Sequence, residues 1–206
     1  MLRPRGQRKT QDPCPRCGLH RDRCLCAQIP RLETATRLCL VIHHRELKRT
    51  TNSGRLATEA LVNSELRVRG QREQTLDLSD LVGGGYQSLL FFPSEDAVEL
   101  TTEFIASRRA LDPRPFQLIV PDGNWRQASK VASRHPELAS LPRVKISDAN
   151  TATKHLRVEH KAEGMSTLEA IARAFRILES EATGVALLEL YQLKLRQTLK
   201  GRGELR

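Results

Sequence analysis

The sequence predicts an α/β domain whose sheet is largely parallel and flanked by helices. Short runs of β-branched and apolar residues alternate along the chain with stretches of helical periodicity, and this alternation is typical of β–α–β units. Two of the apolar runs, residues 38–42 and 116–120, lead through polar, glycine-containing segments into predicted helices. Open α/β sheets bind their ligands at such strand ends, so we expect the functional site there.

Composition and charge favour a nucleic-acid partner. The 206 residues carry a formal net charge of +10 and are 39% hydrophobic, which is enough for one domain with a proper core. Excess positive charge attracts nucleic acid through counterion release, although membrane-surface binding or solubility would also explain it. The sequence shows neither an apolar run long enough to cross a bilayer nor a hydrophobic signal region, so we expect a cytoplasmic protein that does not bind membranes.

The amino-terminal part of the chain contains a cluster of cysteines. Residues 1–13 are basic and poor in apolar side chains, and we expect them to form a flexible tail. Four of the five cysteines follow within a short stretch: Cys14, Cys17, Cys24 and Cys26. In a cytosolic chain this spacing favours structural zinc over disulfides, with a redox dithiol or iron–sulfur ligation as alternatives. We therefore predict a zinc-binding segment over residues 14–36 and a main domain over residues 37–206.

The first predicted strand, residues 38–42, ends in a polar and basic loop. This loop turns into a predicted helix over residues 56–62 and carries the side chains Arg45, Lys48, Arg49, Asn52 and Arg55. We interpret the loop as a contact for phosphate or substrate, with helix capping by Asn52 or Ser53 as the alternative. Cys39, within the strand, is expected to be a small buried hydrophobic residue.

The middle of the chain supplies further strands. Residues 66–69 form a short predicted strand, and residues 88–92 form a buried one that Pro93 and Ser94 end. A helix can begin at Ser94, and another helical stretch is expected over residues 98–109.

The carboxyl-terminal third is expected to be mostly helical. After a short strand over residues 143–146, Ser166 and Glu169 form a capping box that opens an amphipathic helix. Its apolar residues fall on one face: Leu168, Ile171, Ala172, Phe175 and Leu178. A last helix is expected over residues 185–199.

The most informative stretch follows the strand over residues 116–120. Pro121 is expected to end that strand, and Asp122 with Gly123 forms a tight turn into a helix that begins near Asn124. The chain's single tryptophan, Trp125, comes next. A helix amino terminus at a strand end offers N–H groups to a carboxylate or phosphate. The alternative is that Asp122 only caps the helix and Trp125 packs into the core.

Taken together, these motifs resemble the DTW-domain family. The resemblance covers residues 14–176 and rests on five motifs in order: the cysteine cluster, Thr51-Asn52-Ser53-Gly54-Arg55-Leu56, Leu90-Phe91-Phe92-Pro93-Ser94, Pro121-Asp122-Gly123-Asn124-Trp125 and Ser166-Thr167-Leu168-Glu169-Ala170. Asn124 stands where the family has a threonine. Asparagine can also hydrogen-bond locally and start a helix, so we expect the turn to be kept.

The resemblance implies a tRNA-uridine aminocarboxypropyltransferase, related to the knotted SPOUT enzymes. The catalytic domain over residues 37–206 would then be SPOUT-like and knotted. S-adenosylmethionine would donate its 3-amino-3-carboxypropyl group to the imino nitrogen of a uridine in tRNA, with methylthioadenosine released. Asp122 would be the base. The donor would be bound by Phe92, Pro93, Ser94, Pro121, Asp122, Gly123, Asn124, Trp125, Ser166 and Thr167.

The expected RNA face combines the basic loop with the helix after Trp125. It consists of Arg45, Lys48, Arg49, Asn52, Arg55, Arg126 and Lys130. Two other functions remain open at this point, namely methyl transfer on the same fold and RNA binding by a zinc-stapled protein without catalysis. The sequence also leaves open whether the chain dimerises or acts as a monomer.

Overall fold

Six parallel strands form a single sheet in the computed structural model, which describes residues 12–71, 75–147, 156 and 165–205. The strands are β1 Arg37–His43, β2 Ser64–Arg69, β3 Gln87–Phe91, β4 Val98–Glu99, β5 Phe116–Asp122 and β6 Arg143–Lys145. Their order across the sheet is β2-β1-β5-β3-β6-β4. The prediction of an α/β domain with a largely parallel sheet is confirmed.

Helices cover both faces of the sheet. They are α1 His44–Leu47, α2 Gly54–Ala60, α3 Thr102–Leu111, α4 Trp125–Ala128, α5 Lys130–Arg134, α6 Thr167–Leu178 and α7 Glu181–Arg202. One core joins alternate side chains of β1 and β5 to α2, α6 and α7, and a smaller core on the other face includes Cys39, Ile119 and Val131. Successive residues of a strand point to opposite faces, which is why neighbouring residues enter different cores.

The strand β5 extends two residues further than the sequence indicates. Pro121 pairs with Val41, and Asp122 pairs with Ile42, so Pro121 does not end the strand. Pairing between β3 and β5 has already ended at Ile119. Pro121 therefore lies at a local edge, where a missing N–H donor is tolerated.

The helix predicted to begin at Ser94 is wrong, whereas the helical stretch predicted over residues 98–109 is confirmed from Thr102 onward, as α3. Residues 95–96 form a turn and Val98–Glu99 forms β4, which pairs with β6. The helix begins only after Thr101, whose hydroxyl accepts a hydrogen bond from the backbone N–H of Phe104. Acidic residues after Ser94 suggested a first helical turn, but Asp96 instead pairs with Arg143 at the start of β6.

The last helix begins earlier than predicted because Gly184 is part of it. An added Cβ at Gly184 would lie 2.5 Å from Cβ of Arg176, on the preceding helix. The glycine thus allows α6 and α7 to pack closely, and it does not separate two elements. The apolar face predicted for α6, from Leu168 to Leu178, is buried as expected.

Some expectations fall outside the described residues. They include the flexible tail, apart from its last two positions, and residues 148–155 and 157–164 between β6 and α6. The knot of the resemblance therefore stays a prediction. In the described parts of the chain, no helix combines the length and apolar character that crossing a membrane requires.

Candidate active site at the carboxyl edge of the sheet

Asp122 occupies the carboxyl end of β5, where it is 4% exposed. Its Oδ2 accepts a hydrogen bond of 2.6 Å from Nδ2 of Asn52, and its Oδ1 accepts one of 2.6 Å from the hydroxyl of Thr167. These partners come from the loop after β1 and from the start of α6. The carboxylate therefore holds three segments of the chain together at one point.

The residues that follow Asn52 allow its close contact with Asp122. A Cβ added at Gly54 would lie 3.0 Å from Oδ2 of Asp122, so a larger residue would push against the carboxylate. The hydroxyl of Ser53 accepts a hydrogen bond from the backbone N–H of Leu168, 3.2 Å away. This bond satisfies one of the N–H groups that a helix start leaves without a partner. Ser53 and Gly54 thus seat the loop on the start of α6.

The start of α6 is fixed from its own side as well. Ser166 caps the helix through its hydroxyl, which accepts a hydrogen bond from the backbone N–H of Glu169. The carboxylate of Glu169 pairs with Arg173 one turn further on. The helix is therefore capped as predicted, although the structure shows only the serine half of the expected capping box.

The turn after Asp122 forms with asparagine in place of the family threonine. Asn124 and Gln127 make a reciprocal capping box, in which each side chain accepts a 2.9 Å hydrogen bond from the other's backbone N–H. An added Cβ at Gly123 would lie 2.9 Å from Cβ of Gln127, so glycine is required for this arrangement. The expectation that Asn124 keeps the turn is confirmed.

An aromatic pair lies beside this turn. Trp125 is 48% exposed, and its ring is tilted against that of Phe92 with 5.0 Å between centroids. The core packing considered for Trp125 is thus not seen. Because β3 and β5 are neighbours, the segment after β3 and the turn after β5 meet at the same edge of the sheet. Pro93 is exposed there, and Ser94 is half-buried.

The cations of the predicted RNA face differ in how they are held. Arg45, Lys48 and Arg49 are exposed on the loop after β1, and Arg49 also pairs with the buried Glu46. Arg126 is exposed on α4, and Lys130 is half-buried at the start of α5.

Two members of the predicted RNA face have internal roles. Asn52 is buried in the Asp122 cluster. The guanidinium of Arg55 donates to the carbonyl oxygens of Leu47 and Pro15, at 3.1 Å and 2.9 Å. Arg55 therefore joins the basic loop to the cysteine segment.

The cysteine segment brings its four sulfur atoms together. The Sγ atoms of Cys14 and Cys26 are 3.5 Å apart, those of Cys14 and Cys24 are 3.6 Å apart, and those of Cys17 and Cys24 are 3.8 Å apart. All four lie within 4.8 Å of one another. A tetrahedral zinc ion with Zn–S bonds of about 2.3 Å needs sulfur atoms about 3.8 Å apart. The geometry of the cluster therefore fits zinc with four thiolate ligands.

A buried lysine supports an anionic cluster at this place. Lys194 of α7 is 0% exposed, and its Nζ donates to the carbonyl oxygen of Cys17. Burial lowers the pKa of Lys194 to about 8, and the thiolates of Cys17, Cys14 and Cys26 counteract that shift. Among the described residues no carboxylate lies within ion-pair distance of this ammonium. Because zinc with four thiolates has a net charge of −2, it would supply the missing counter-charge.

The thiols differ in pKa, and therefore in how readily each loses its proton to become a metal ligand. The backbone N–H of Cys17 lowers the pKa of Cys14 to about 6, whereas burial raises the pKa of Cys17 and Cys26. A divalent cation favours the deprotonated form of every thiol that it binds. The fifth cysteine, Cys39, is fully buried in the smaller core, as predicted.

Two contributors to these sites were missed by sequence reasoning. Lys194 is one basic residue in a strongly basic chain, and only the docking of α7 on the cysteine segment reveals its burial. Gly54 belongs to a quoted motif, but its closeness to Asp122 depends on a contact between distant segments. A glycine directly after Asn52 and Ser53 was a usable signal, because glycine often marks a close approach of the backbone.

The fold and site define an α/β protein whose buried carboxylate cluster lies at the carboxyl edge of a parallel sheet, with a four-cysteine segment packed beside it. The DTW domain model matches residues 11–199. The chain therefore belongs to the DTW domain family.

Similar curated proteins come from three animals, and each is named tRNA-uridine aminocarboxypropyltransferase 2. The chain is 27% identical over 177 residues to the protein of Drosophila melanogaster, 26% over 177 residues to that of Macaca fascicularis and 28% over 173 residues to that of Mus musculus. The aligned regions include 82%, 83% and 81% of this chain. They span 68%, 58% and 56% of the lengths of the relatives.

Proposed function

We propose that this chain transfers the 3-amino-3-carboxypropyl group of S-adenosylmethionine to the imino nitrogen of a uridine in tRNA. The observation that carries the proposal is the cluster of Asn52, Asp122 and Thr167, which unites three family motifs at the carboxyl edge of the sheet. The name shared by the relatives supports the same reaction and substrate. In a parallel sheet this edge is where ligands bind.

In the proposed reaction the imino nitrogen of the uracil attacks the donor carbon next to the sulfonium. The carbon–sulfur bond breaks, its electron pair stays on sulfur, and methylthioadenosine leaves as a neutral thioether. The imino proton must go to a base, and Asp122 is our candidate because its carboxylate lies at the strand end. Asn52 and Thr167 fix the orientation of that carboxylate. The sulfonium is a good leaving group, so orientation supplies much of the rate.

The donor pocket is proposed between three segments. Phe92, Pro93 and Ser94 would line one side, Pro121 to Trp125 a second, and Ser166 with Thr167 the third. The support for this set is that β3 and β5 end side by side, that Phe92 contacts Trp125 and that Thr167 contacts Asp122. The exposed ring of Trp125 could flank the adenine of the donor.

The tRNA is proposed to lie across the loop after β1 and the helix α4. The exposed cations Arg45, Lys48, Arg49 and Arg126 supply positive charge without reading sequence. Asn52 and Arg55 would act in this face by holding the loop in place, since both are engaged inside the protein. The remaining candidate is Lys130, which is half-buried at the start of α5. A SPOUT-like knot and a cytoplasmic location remain parts of the proposal.

Zinc is proposed as a structural metal held by Cys14, Cys17, Cys24 and Cys26. Because the four cysteines would fill all four positions of a tetrahedral ion, the metal would have no open position for water or substrate. Its role would be to fold residues 14–36 against α7 and the basic loop.

Mass spectrometry of nucleosides from unmodified tRNA, incubated with the protein and S-adenosylmethionine, tests the proposal. We expect an aminocarboxypropyl-uridine together with methylthioadenosine. A methylated nucleoside with adenosylhomocysteine would overturn the chemistry while keeping the donor. Tight tRNA binding without any product would instead support an RNA-binding protein without catalysis.

A further inference from the structure

Besides Lys194, the structure buries another cation, Arg69. It lies at the carboxyl edge of the sheet, on the face away from Asp122. Arg69 ends β2 and pairs in register with His43, the last residue of β1, so both side chains project to the same face. Ile42 and Asp122 are paired one position earlier and project to the opposite face. Arg69 is therefore separate from the proposed catalytic cluster.

Among the residues that the structure describes, Arg69 is buried without a counter-charge. The residue is 3% exposed, and its Nη1 donates to the carbonyl oxygen of Gln127 at 2.7 Å, whereas its Nε has no hydrogen-bond partner. In the described ranges of the chain no carboxylate pairs with it. Burial and the charge of Arg134 on α5 lower its pKa. Arginine is almost never fully buried unless it is paired, so this arrangement calls for an anion.

Two histidines lie beside Arg69 and extend the site towards the surface. The rings of His43 and His44 are in tilted contact with 4.5 Å between centroids, and both residues are half-buried. An added Cβ at Gly70 would lie 2.9 Å from Nε2 of His43 and 3.2 Å from Nδ1 of His44, so both rings lie directly over this glycine. Gly70 has a φ of +81°, a value that glycine adopts without strain. Nδ1 of His44 is buried and has no hydrogen-bond partner within the described part of the chain.

We propose that Arg69, His43 and His44 form a binding site for a backbone phosphate of the tRNA. An arginine with an unused N–H group beside two imidazoles suits a phosphate, whose oxygens accept several hydrogen bonds at once. His44 continues directly into Arg45, and this loop also carries the exposed Lys48 and Arg49. A phosphate bound here would therefore continue a row of surface cations. The assignment rests on the proposed function in taking tRNA as the polymer.

The site would fix the position of the RNA backbone relative to the proposed donor pocket. Arg69 is tied to the carbonyl of Gln127, and Gln127 closes the capping box of the turn between Asp122 and Trp125. A phosphate held by Arg69 would thus be placed relative to the turn that we assign to the donor. The long surface side chains attract RNA but do not define such a position.

The test compares two arginines of β2. Arg67 is two residues before Arg69 and faces the same way, but it is paired with Asp80 and Glu65. Arg69→Met and Arg67→Met change the net charge equally, so long-range attraction of RNA falls equally in both. We expect Arg69→Met to weaken binding of unmodified tRNA about tenfold at low salt and to reduce the salt slope by about one. Arg67→Met should leave the slope unchanged, and Arg69→Lys should restore part of it.

Inorganic phosphate provides a second measurement that does not depend on RNA or on the folding of a variant. The melting temperature of the wild-type protein should already rise at low millimolar phosphate, where the general stabilisation by phosphate salts is small, and it should rise more than with chloride at equal ionic strength. Equal salt slopes for Arg69→Met and Arg67→Met would overturn the tRNA assignment. Stabilisation by phosphate together with equal slopes would identify a site for free phosphate instead. A slope difference in a protein that forms no aminocarboxypropyl-uridine would support this site and contradict only the proposed function.

Discussion

The carboxylate of Asp122 has a structural task and, in the proposed reaction, a catalytic one. It holds the loop of Asn52 to the start of α6 through two hydrogen bonds of 2.6 Å, which is a structural task. In the proposed reaction it also receives a proton from the substrate. A carboxylate has about four acceptor positions, so the hydrogen bonds to Asn52 and Thr167 do not use its whole acceptor capacity. The two tasks can be separated by substitutions that keep the shape of the side chain.

Asp122→Asn is predicted to reduce transfer at least about a hundredfold, which is the usual loss when a general base is removed. One of its two polar atoms becomes a donor that faces Asn52 or Thr167, so we also expect the free energy of unfolding to fall by about 1–3 kcal/mol. Single-turnover transfer and thermal unfolding measure the two effects. Asp112→Asn, before the other end of β5, is the matched control. Turnover at the wild-type rate would remove Asp122 from the base role.

Thr167→Val tests the structural task with the carboxylate left in place, because it deletes one hydrogen bond to Asp122. Thr167 is also assigned to the donor pocket, so transfer is measured at saturating S-adenosylmethionine. We predict a loss of about 1 kcal/mol in the free energy of unfolding. Transfer should fall much less than in Asp122→Asn. The same two assays apply, and equal losses of transfer in both variants would show that Asp122 acts only through the geometry of the cluster.

Lys194 makes a comparable prediction for the metal. Lys194→Met removes the ammonium that lies against Cys17 and would leave the thiolate cluster without its buried counter-charge. We expect metal affinity to fall about tenfold, as for other residues that support metal ligands. Release of metal to a colorimetric chelator measures this, with the exposed Lys200 of the same helix as control, in the variant Lys200→Met. Equal release in both variants would contradict a role for the buried charge.

Among the elements, those with local signals could be predicted from sequence. The apolar runs of β1, β3 and β5 and the apolar face of α6 were recognised because period and composition decide them. The segment after Ser94 was predicted wrongly because its acidic residues look like the first turn of a helix. In the structure, Asp96 instead pairs with Arg143, which is distant in sequence. The residues of the candidate sites also fall into those that local sequence predicts and those that it does not. The turn of Asn124 was predictable, whereas the burial of Arg69 and Lys194 arises only when distant elements pack.

The contact between α6 and α7 gives a prediction at this scale. Gly184→Ala would place a Cβ 2.8 Å from Cα of Arg176, and the backbone cannot move aside cheaply. We expect a loss of about 1–3 kcal/mol in the free energy of unfolding, which is the usual result of overpacking. Gly201→Ala in the same helix would meet only the flexible side chain of Arg23, at 3.1 Å. It should be neutral or stabilising by up to about 1 kcal/mol, since alanine is the better helix former.

Across the whole molecule, the cysteine segment and the candidate active site are parts of one connected structure. Arg55 donates to Pro15 in the cysteine segment and to Leu47 in the basic loop, and its backbone N–H donates to the side chain of Asn52. Asn52 in turn holds Asp122. Arg16 adds an ion pair to Glu59 of α2. A change in the cysteine segment can therefore reach the carboxylate through a few short contacts.

Loss of the proposed metal is therefore predicted to weaken tRNA binding and transfer, although the metal itself would take no part in either. Cys14→Ser combined with Cys17→Ser should abolish metal binding, release Arg55 from Pro15 and loosen the loop that carries Arg45, Lys48 and Arg49. We expect weaker tRNA binding and slower transfer, because both depend on the placement of this loop. Metal analysis, tRNA titration and the transfer assay measure the three effects. Cys39→Ser is the control, since Cys39 lies in the smaller core away from the cluster. A metal-free double variant that binds tRNA and turns over like the wild type would mean that the loop keeps its position without the cysteine segment.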